Sequence, residues 1–198
     1  MSTVATPYGL KPVRRADGMP YSGATERIKM TASYGTSIFK GDVVQIVAAG
    51  TLEKVTNVGT NGDPFPVNTI GVFMGCEYTD PGTSQKVFRN FWTASTVATD
   101  NYAYVVVDPM VLFQIQADDA VAQTALGINI AVNQTAGSTV HGVSAVAADV
   151  ATIAVTNTIG FKIVGFVDAP GSAVGDAFTD ILVKFNPLSH GYTNGTGL

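Results

Sequence analysis

Cysteine, charge and long apolar runs are all scarce in this 198-residue chain. Cys76 is the single cysteine, so no disulfide can form within the chain, and we expect it to be a small buried hydrophobic residue. No stretch approaches the roughly 18 apolar residues that a membrane-spanning helix needs. Residues 1–20 also lack the apolar run of a signal peptide. We therefore expect a chain without membrane contact, made in a reducing compartment.

Charged residues make up 13% of the chain, against about 25% in a typical globular protein. So little charge suits a protein that buries much of its surface in an assembly, because interface cores are depleted in charge. The alternative is a neutral, β-rich monomer. The net charge of −4 argues against general nucleic-acid binding, which needs a basic face to replace counterions.

The few charges are unevenly distributed along the chain. The first forty residues carry six Lys or Arg against Asp17 and Glu26, whereas the remainder has a net charge of −8 and no Lys or Arg between Arg89 and Lys162. Proline and glycine recur through residues 1–24 and interrupt any helix or central strand. This pattern predicts an extended N-terminal arm that lies along a partner. An arm that packs against its own body fits equally well.

Short runs of alternating apolar and polar residues, separated by turn signals, fill residues 25–188. They predict an all-β body, a β-sandwich or β-barrel, with the N-terminal arm and one short helix. The helix is predicted over residues 118–126, with Asp118 or Asp119 as its cap. Residues 133–150 lack periodicity and predict a possible surface insertion, and residues 189–198 predict a flexible tail.

The sequence offers little material for catalysis or metal binding. Neither His141 nor His190 has a partner at metal-ligand spacing, and one cysteine cannot build a thiolate zinc site. Residue order alone leaves a Ser-His-Asp site open, but there is no Gly-x-Ser-x-Gly elbow and no phosphate-binding glycine loop. We therefore predict no catalytic residue, no metal and no cofactor, and thus a protein that is not an enzyme.

Four segments, spread from one end of the chain to the other, carry a recognisable order of motifs. They are Thr-Pro-Tyr-Gly-Leu-Lys-Pro-Val-Arg at residues 6–14 with Tyr-Ser-Gly-Ala at 21–24, Ile-Phe-Lys-Gly-Asp-Val-Val at 38–44, Gly-Val-Phe-Met-Gly at 71–75, and Asp-Ile-Leu-Val-Lys-Phe-Asn at 180–186. Together they resemble small virion structural proteins of tailed bacteriophages, of the capsid decoration or cement type.

The resemblance implies a protein on the outer surface of an icosahedral phage head, made in the host cytoplasm, that bridges neighbouring major capsid proteins. It implies a homotrimer or homodimer, without nucleic acid as a partner, whose arm contacts the capsid. The candidate contact residues are the aromatic, apolar and basic side chains of the arm: Tyr8, Leu10, Pro12, Val13, Arg14, Arg15 and Tyr21.

Two other functions stay open. A tail- or fibre-associated virion protein that binds host-surface glycans would expose a group of aromatic side chains, with Trp92, Tyr102 and Tyr104 as candidates. Strand alternation, however, favours Trp92 in the core and places the two tyrosines on one face. A small β-rich enzyme or ligand-binding module would need a concave pocket with perturbed titratable groups.

Overall fold

The computed structural model describes residues 4–56 and 65–197. These residues form an all-β sandwich, which confirms the predicted fold class. Its strands are β1 Lys11–Arg15, β2 Glu26–Lys29, β3 Ile38–Phe39, β4 Val43–Ile46, β5 Leu52–Lys54, β6 Thr69–Thr79, β7 Lys86–Arg89, β8 Phe91–Trp92, β9 Tyr102–Val106, β10 Val111–Gln116, β11 Asn129–Asn133, β12 Ala147–Ala154, β13 Phe161–Phe166 and β14 Asp180–Phe185. Two short 3₁₀ turns cover Gln123–Ala125 and Pro187–Ser189.

The strands form two large antiparallel sheets. The first sheet has the order β1-β10-β14-β13-β11-β12, and the second has the order β2-β9-β6-β4-β5, with β7 paired to β6. Strands β3 and β8 form a separate small pair. Each large sheet curls until an isolated parallel bridge joins its two sides, Ala117 to Ala148 in the first and Met30 to Leu52 in the second. The curling leaves few strand edges free to pair with other chains.

Two apolar clusters fill the interior. In the first, Phe161 and Phe185 pack with ring centroids 4.5 Å apart, and in the second Trp92 is fully buried. Strand β6 serves both clusters, because Val72 packs in the first and the next residue, Phe73, packs in the second. Successive side chains of a strand point to opposite faces, so one long strand can hold the two clusters together.

The helix predicted over residues 118–126 is reduced to the 3₁₀ turn Gln123–Ala125. Asp118 does not cap it, because its carboxylate accepts hydrogen bonds from the Val150 backbone N–H (2.9 Å) and from Asn133 Nδ2 (3.1 Å). The Val121 N–H donates to Thr179 Oγ1 at 3.2 Å. These contacts with neighbouring strands fix residues 118–121 and leave only three residues to coil.

Residues 133–150, expected as a possible surface insertion, contribute to the body of the fold. Val146 is fully buried in the first cluster, and Ser144 is 2% exposed. The Ser144 backbone N–H donates to the carbonyl of Lys40 at 3.0 Å, which ties this segment to the turn before β4. The stretch lacks a single period because residues 134–146 leave the first sheet after β11 and return to it at β12.

The C-terminal turn, residues 186–194, also packs against the body. His190 is fully buried, with its ring edge-on to Phe185 at 5.2 Å between centroids. The Gly191 N–H donates to the Thr69 carbonyl at 2.6 Å, next to the start of β6. The stretch predicted to be a flexible tail therefore begins with a packed turn.

Candidate functional site

The N-terminal segment, residues 6–15, lies between β10 and the chain that leads into β12, where the two sides of the first sheet meet. We call this junction the seam. Strand β1 pairs with β10, with Lys11 opposite Gln114. Upstream of the strand, the Gly9 N–H donates to the Val146 carbonyl at 3.2 Å, and the Thr6 N–H donates to Gln116 Oε1 at 2.8 Å. The segment thus joins β10 to the chain that leads into β12. For these residues, the structure shows the alternative in which the arm packs on its own body.

Leu10 and Gly9 lie deepest in the seam. Leu10 is 2% exposed, belongs to the first cluster, and donates its N–H to the Gly41 carbonyl at 3.0 Å. Gly9 has a φ of +75°, and a Cβ added there would lie 2.6 Å from the Ser144 Cβ. Only glycine fits such a position without strain. Of the candidate contact residues, Leu10 is therefore a core residue of its own chain.

Tyr8, within the segment, and Tyr21, beyond its end, are both half-buried. The Tyr8 hydroxyl donates to Asp180 Oδ1 at 2.9 Å, and burial together with the Asp180 carboxylate raises the pKa of Tyr8 well above its ordinary value. The Tyr21 hydroxyl donates to the Ala24 carbonyl at 3.0 Å, and burial also raises the pKa of Tyr21. Both hydroxyls are therefore held by hydrogen bonds and stay protonated at neutral pH, and the two rings present apolar surface.

An open groove of about 540 Å³ lies beside the N-terminal segment. Four of the seven candidate contact residues line it: Tyr8, Leu10, Pro12 and Tyr21. Met74, Val143 and the polar Gln114 complete the lining, and the exposed Lys11 and Lys40 form a basic rim. Within residues 4–56 and 65–197, neither rim lysine forms an ion pair. The groove therefore combines a largely apolar lining with two lysines that have no ion-pair partner among the described residues.

The other three candidate residues lie outside the groove. Val13 is 41% exposed at a bulge in β1, and Arg14 is exposed. Arg15 is held by Asp108 at 2.9 Å and by Asp17 at 3.2 Å. The bulge, the proline at position 12 and the Arg15 N–H donated to the Met19 carbonyl protect this edge. The free edge of β1 is therefore closed to pairing with a further strand.

A buried polar network lies directly behind the N-terminal segment. Asp42 is fully buried, and its carboxylate accepts from Lys54 Nζ (2.8 Å), Ser144 Oγ (2.6 Å) and the Phe39 N–H (2.9 Å). The Ser144 hydroxyl in turn accepts from the Val146 N–H at 3.0 Å. Ser144 is buried and its proton is engaged by Asp42, so the network holds the seam in place and exposes no nucleophile.

Sequence reasoning missed this network. The only available signal was Asp42 in the tight turn that precedes β4, and such a residue ordinarily caps its own turn. The partners Lys54 and Ser144 lie 12 and 102 residues further along the chain. Asp42 contacts Lys54 and Ser144 only because the second sheet curls and because residues 133–150 pass beside the turn before β4. Neither arrangement has a local sequence pattern.

The three aromatic candidates for glycan binding do not form an exposed platform. Trp92 is fully buried, as the strand alternation predicted, and its indole N–H donates to the Tyr34 carbonyl at 3.1 Å. The Arg27 guanidinium covers the ring of Tyr102 at 3.4 Å from its centroid. The Tyr104 hydroxyl donates to Glu77 Oε2 at 2.9 Å. The two tyrosines share one face, as predicted, but both contact the ion pair between Arg27 and Glu77.

The remaining reactive groups are also engaged or isolated. Cys76 is 1% exposed, and burial raises the pKa of its thiol to about 12, so it stays protonated at neutral pH. Burial lowers the pKa of His190. Across residues 4–56 and 65–197, no group of three or more His, Cys, Asp or Glu side chains is placed to hold a metal ion. None of the helical turns in that range is long and apolar enough to cross a membrane.

Comparison with known proteins identifies no family. The chain matches no protein-family model, no curated protein and no solved structure.

Proposed function

We propose that this protein is a non-enzymatic structural component of a virion, which decorates an icosahedral phage head and stabilises it by bridging neighbouring major capsid proteins. The observation that carries the proposal is the convergence of Tyr8, Pro12 and Tyr21 on one groove with Lys11 and Lys40 at its rim. These residues belong to the motifs that resemble decoration proteins or lie beside them.

The chemistry of the groove supports a protein partner. Tyrosine side chains and small apolar walls form the pockets in which interface hot spots dock. The two rim ammonium groups, with no ion-pair partner among the described residues, favour a partner surface that bears carboxylates. The seam and the buried network hold the groove residues in place, so little conformational entropy is lost when a partner binds.

The proposed stabilisation follows from mass action. A protein that binds only the assembled shell shifts the equilibrium towards that shell, by an amount that grows with its concentration relative to its dissociation constant. Because a head offers many equivalent sites, modest contacts add up. The protein needs no catalytic group for this role, only a rigid body and a surface complementary to the shell.

The test is occupancy of isolated heads. Heads prepared without the protein are incubated with increasing amounts of the purified full chain, sedimented, and analysed for copies per head relative to the shell protein. We expect saturable binding at a fixed ratio to the shell protein. Attachment should weaken only modestly between low and physiological salt, because few charges are available to be screened.

Absence of saturable binding, or a copy number confined to the tail, would overturn the proposal. A steep loss of binding with salt would show that the contact is more ionic than the groove implies.

A further inference from the structure

A basic and aromatic surface covers one side of the second sheet, and none of its side chains is among those that line the groove. Strands β2, β9, β6 and β7 lie side by side, and the register places Arg27 opposite Tyr104, Lys29 opposite Tyr102 and Phe88 opposite Glu77. We call this surface the basic-aromatic face. Its outward side chains are Arg27, Lys29, Lys86, Phe88, Tyr102 and Tyr104.

The ionic contacts within this face leave it with excess positive charge. Glu77 is only 5% exposed, and its carboxylate accepts from Arg27 Nε at 2.7 Å and from the Tyr104 hydroxyl at 2.9 Å. Lys86 Nζ lies 3.5 Å from the same carboxylate. Lys29 has no carboxylate partner among the described residues. The buried Glu77 carboxylate thus serves two cations, and Asp100, hydrogen-bonded to Thr79 opposite Lys86, adds a second negative charge near Lys86. The three cations of the face still exceed these two carboxylates.

The face is also built for protein contact. The Arg27 guanidinium is fixed against the Tyr102 ring at 3.4 Å, and the Phe88 side chain is 67% exposed. Arginine and aromatic side chains are the residues that most often dominate binding energy at interfaces. Because Arg27 is already held by Glu77 and Tyr102, its ordering costs little on binding.

A complementary acidic surface lies on the first sheet. Asp118, Asp119 and Asp149 form what we call the acidic tip, where the chain leaves β10 and runs along β12. Asp118 accepts the Val150 N–H at 2.9 Å, which brings it beside Asp149. Burial and the nearby Asp118 charge raise the pKa of Asp149. In residues 4–56 and 65–197, no Lys or Arg forms an ion pair with the tip.

We propose that the basic-aromatic face binds the acidic tip of a second copy of this chain, in a head-to-tail contact. The face carries unpaired positive charge and the tip carries unpaired negative charge, so opposite charges meet in this contact. A cation placed at the tip relieves the repulsion between Asp118 and Asp149. Because the two surfaces differ, successive contacts close into a ring or extend as a filament. The contact does not use the groove, so it goes beyond shell binding.

The occupant is a second copy rather than a nucleic acid because of the overall charge. A nucleic-acid surface needs a broad field of basic groups, whereas this chain has a net charge of −4 and a face with only three cations around a buried carboxylate. An acidic protein surface of small area, such as the tip, matches that number of charges.

The test is the molar mass of the full chain in solution, by sedimentation equilibrium over a range of concentrations. We expect self-association of the 20.6 kDa chain that weakens with salt. Lys29→Glu and Asp119→Lys should each weaken self-association by about tenfold or more, because each places like charges across the contact. The double variant Lys29→Glu/Asp119→Lys should restore it, since opposite charges then face each other again.

Matched charge reversals away from the two surfaces serve as controls. Lys162→Glu and Asp168→Lys change exposed side chains elsewhere and should leave self-association unchanged. A wild-type chain that stays monomeric at every concentration overturns the proposal, and so does a double variant that stays as weak as the single ones. Binding of a single-stranded DNA oligonucleotide that is lost in Lys29→Glu would assign the face to nucleic acid instead. Binding to heads by a monomeric chain would leave the shell proposal standing while this one fails.

Discussion

Proline and glycine interrupt the sequence at both ends of this chain, and yet the two ends are held in the fold by different means. The N-terminal segment is held by backbone pairing with β10 and by Leu10 in the first cluster. The C-terminal turn is held by one buried imidazole and a few hydrogen bonds. The difference teaches that a segment without regular pattern can still complete a sheet, provided that it carries one well-placed apolar side chain.

The consequences for stability differ accordingly. Removal of contacts at the N-terminal segment opens the seam of the first sheet and exposes the first cluster. Removal of contacts at the C-terminal turn uncovers mainly the ring of Phe185 and the start of β6. We therefore expect perturbations at the N-terminal segment to unfold the whole body, and perturbations at the C-terminal turn to open it locally.

The largest effect is expected behind the N-terminal segment. Lys54→Met leaves the fully buried Asp42 carboxylate without its countercharge, and breaking a buried pair in this way costs about 3–5 kcal/mol. Denaturant unfolding followed by circular dichroism measures the loss. Lys162→Met, at an exposed position, is the control. Equal stability of the two variants would mean that the network does not support the seam.

Truncation of one leucine at each end compares the ends directly. Leu10→Ala removes a side chain that is 2% exposed and should cost about 2–5 kcal/mol, whereas Leu188→Ala removes one that is 49% exposed and should cost within about 0.5 kcal/mol. The free energy of unfolding of both variants is measured in the same denaturant. A similar loss for the two would contradict the comparison.

Gly9→Ala separates backbone strain from steric contact. Gly9 has a φ of +75° and faces the Ser144 Cβ, whereas Gly18 has a φ of +87° with nothing within 4 Å of an added Cβ. Both substitutions impose the strain of a left-handed backbone, about 1 kcal/mol or more, but only Gly9→Ala also forces Ser144 aside. We expect Gly9→Ala to lower the melting temperature further than Gly18→Ala does. The reverse order would place the N-terminal segment outside the seam.

The smallest effect is expected at the C-terminal turn and depends on pH. Burial lowers the pKa of His190 below its ordinary value of 6.5, so the unfolded chain takes up this proton before the folded chain does. The contribution of neutral His190 to stability is therefore complete above about pH 6.5 and is lost as the pH falls towards the lowered pKa.

Hydrogen exchange of residues 186–194 between pH 7.5 and pH 5.5 measures this opening. We expect faster exchange at the lower pH, after correction for the intrinsic rate, and no such change in His190→Gln. His141→Gln, at an exposed histidine, should behave as the wild-type chain does. Protection that stays constant in the wild-type chain would show that the imidazole does not hold the turn.

The sequence was sufficient for the class of fold and for the orientation of several strands. Alternation with a period of two residues correctly placed Trp92 inside and Tyr102 with Tyr104 on one face, because side-chain direction in a strand is a local property. The helix over residues 118–126 failed, since the hydrogen bonds from Val150 and Asn133 to Asp118 come from residues distant in sequence.

The candidate site was predictable only in part. Seven residues of the arm were predicted as contact residues, and four of them, Tyr8, Leu10, Pro12 and Tyr21, line one groove. Their contact with a partner stays a prediction. The position of the N-terminal segment in the seam could not be predicted. The pairing of Lys11 with Gln114 and the hydrogen bond from Gly9 to Val146 each join residues more than one hundred positions apart. For the same reason, the position of Lys40 and Met74 beside the arm could not be predicted, although both lie in motifs that the sequence analysis identified.

The N-terminal segment closes the first sheet, and we propose that the groove beside it binds the phage shell. The most direct test is head occupancy of Lys11→Glu/Lys40→Glu, measured beside wild type and Lys162→Glu, with the free energy of unfolding of each. We predict that the double variant keeps its stability to within about 0.5 kcal/mol, because both lysines are exposed, and loses most of its attachment. Attachment equal to that of wild type in a stably folded double variant would contradict the claim.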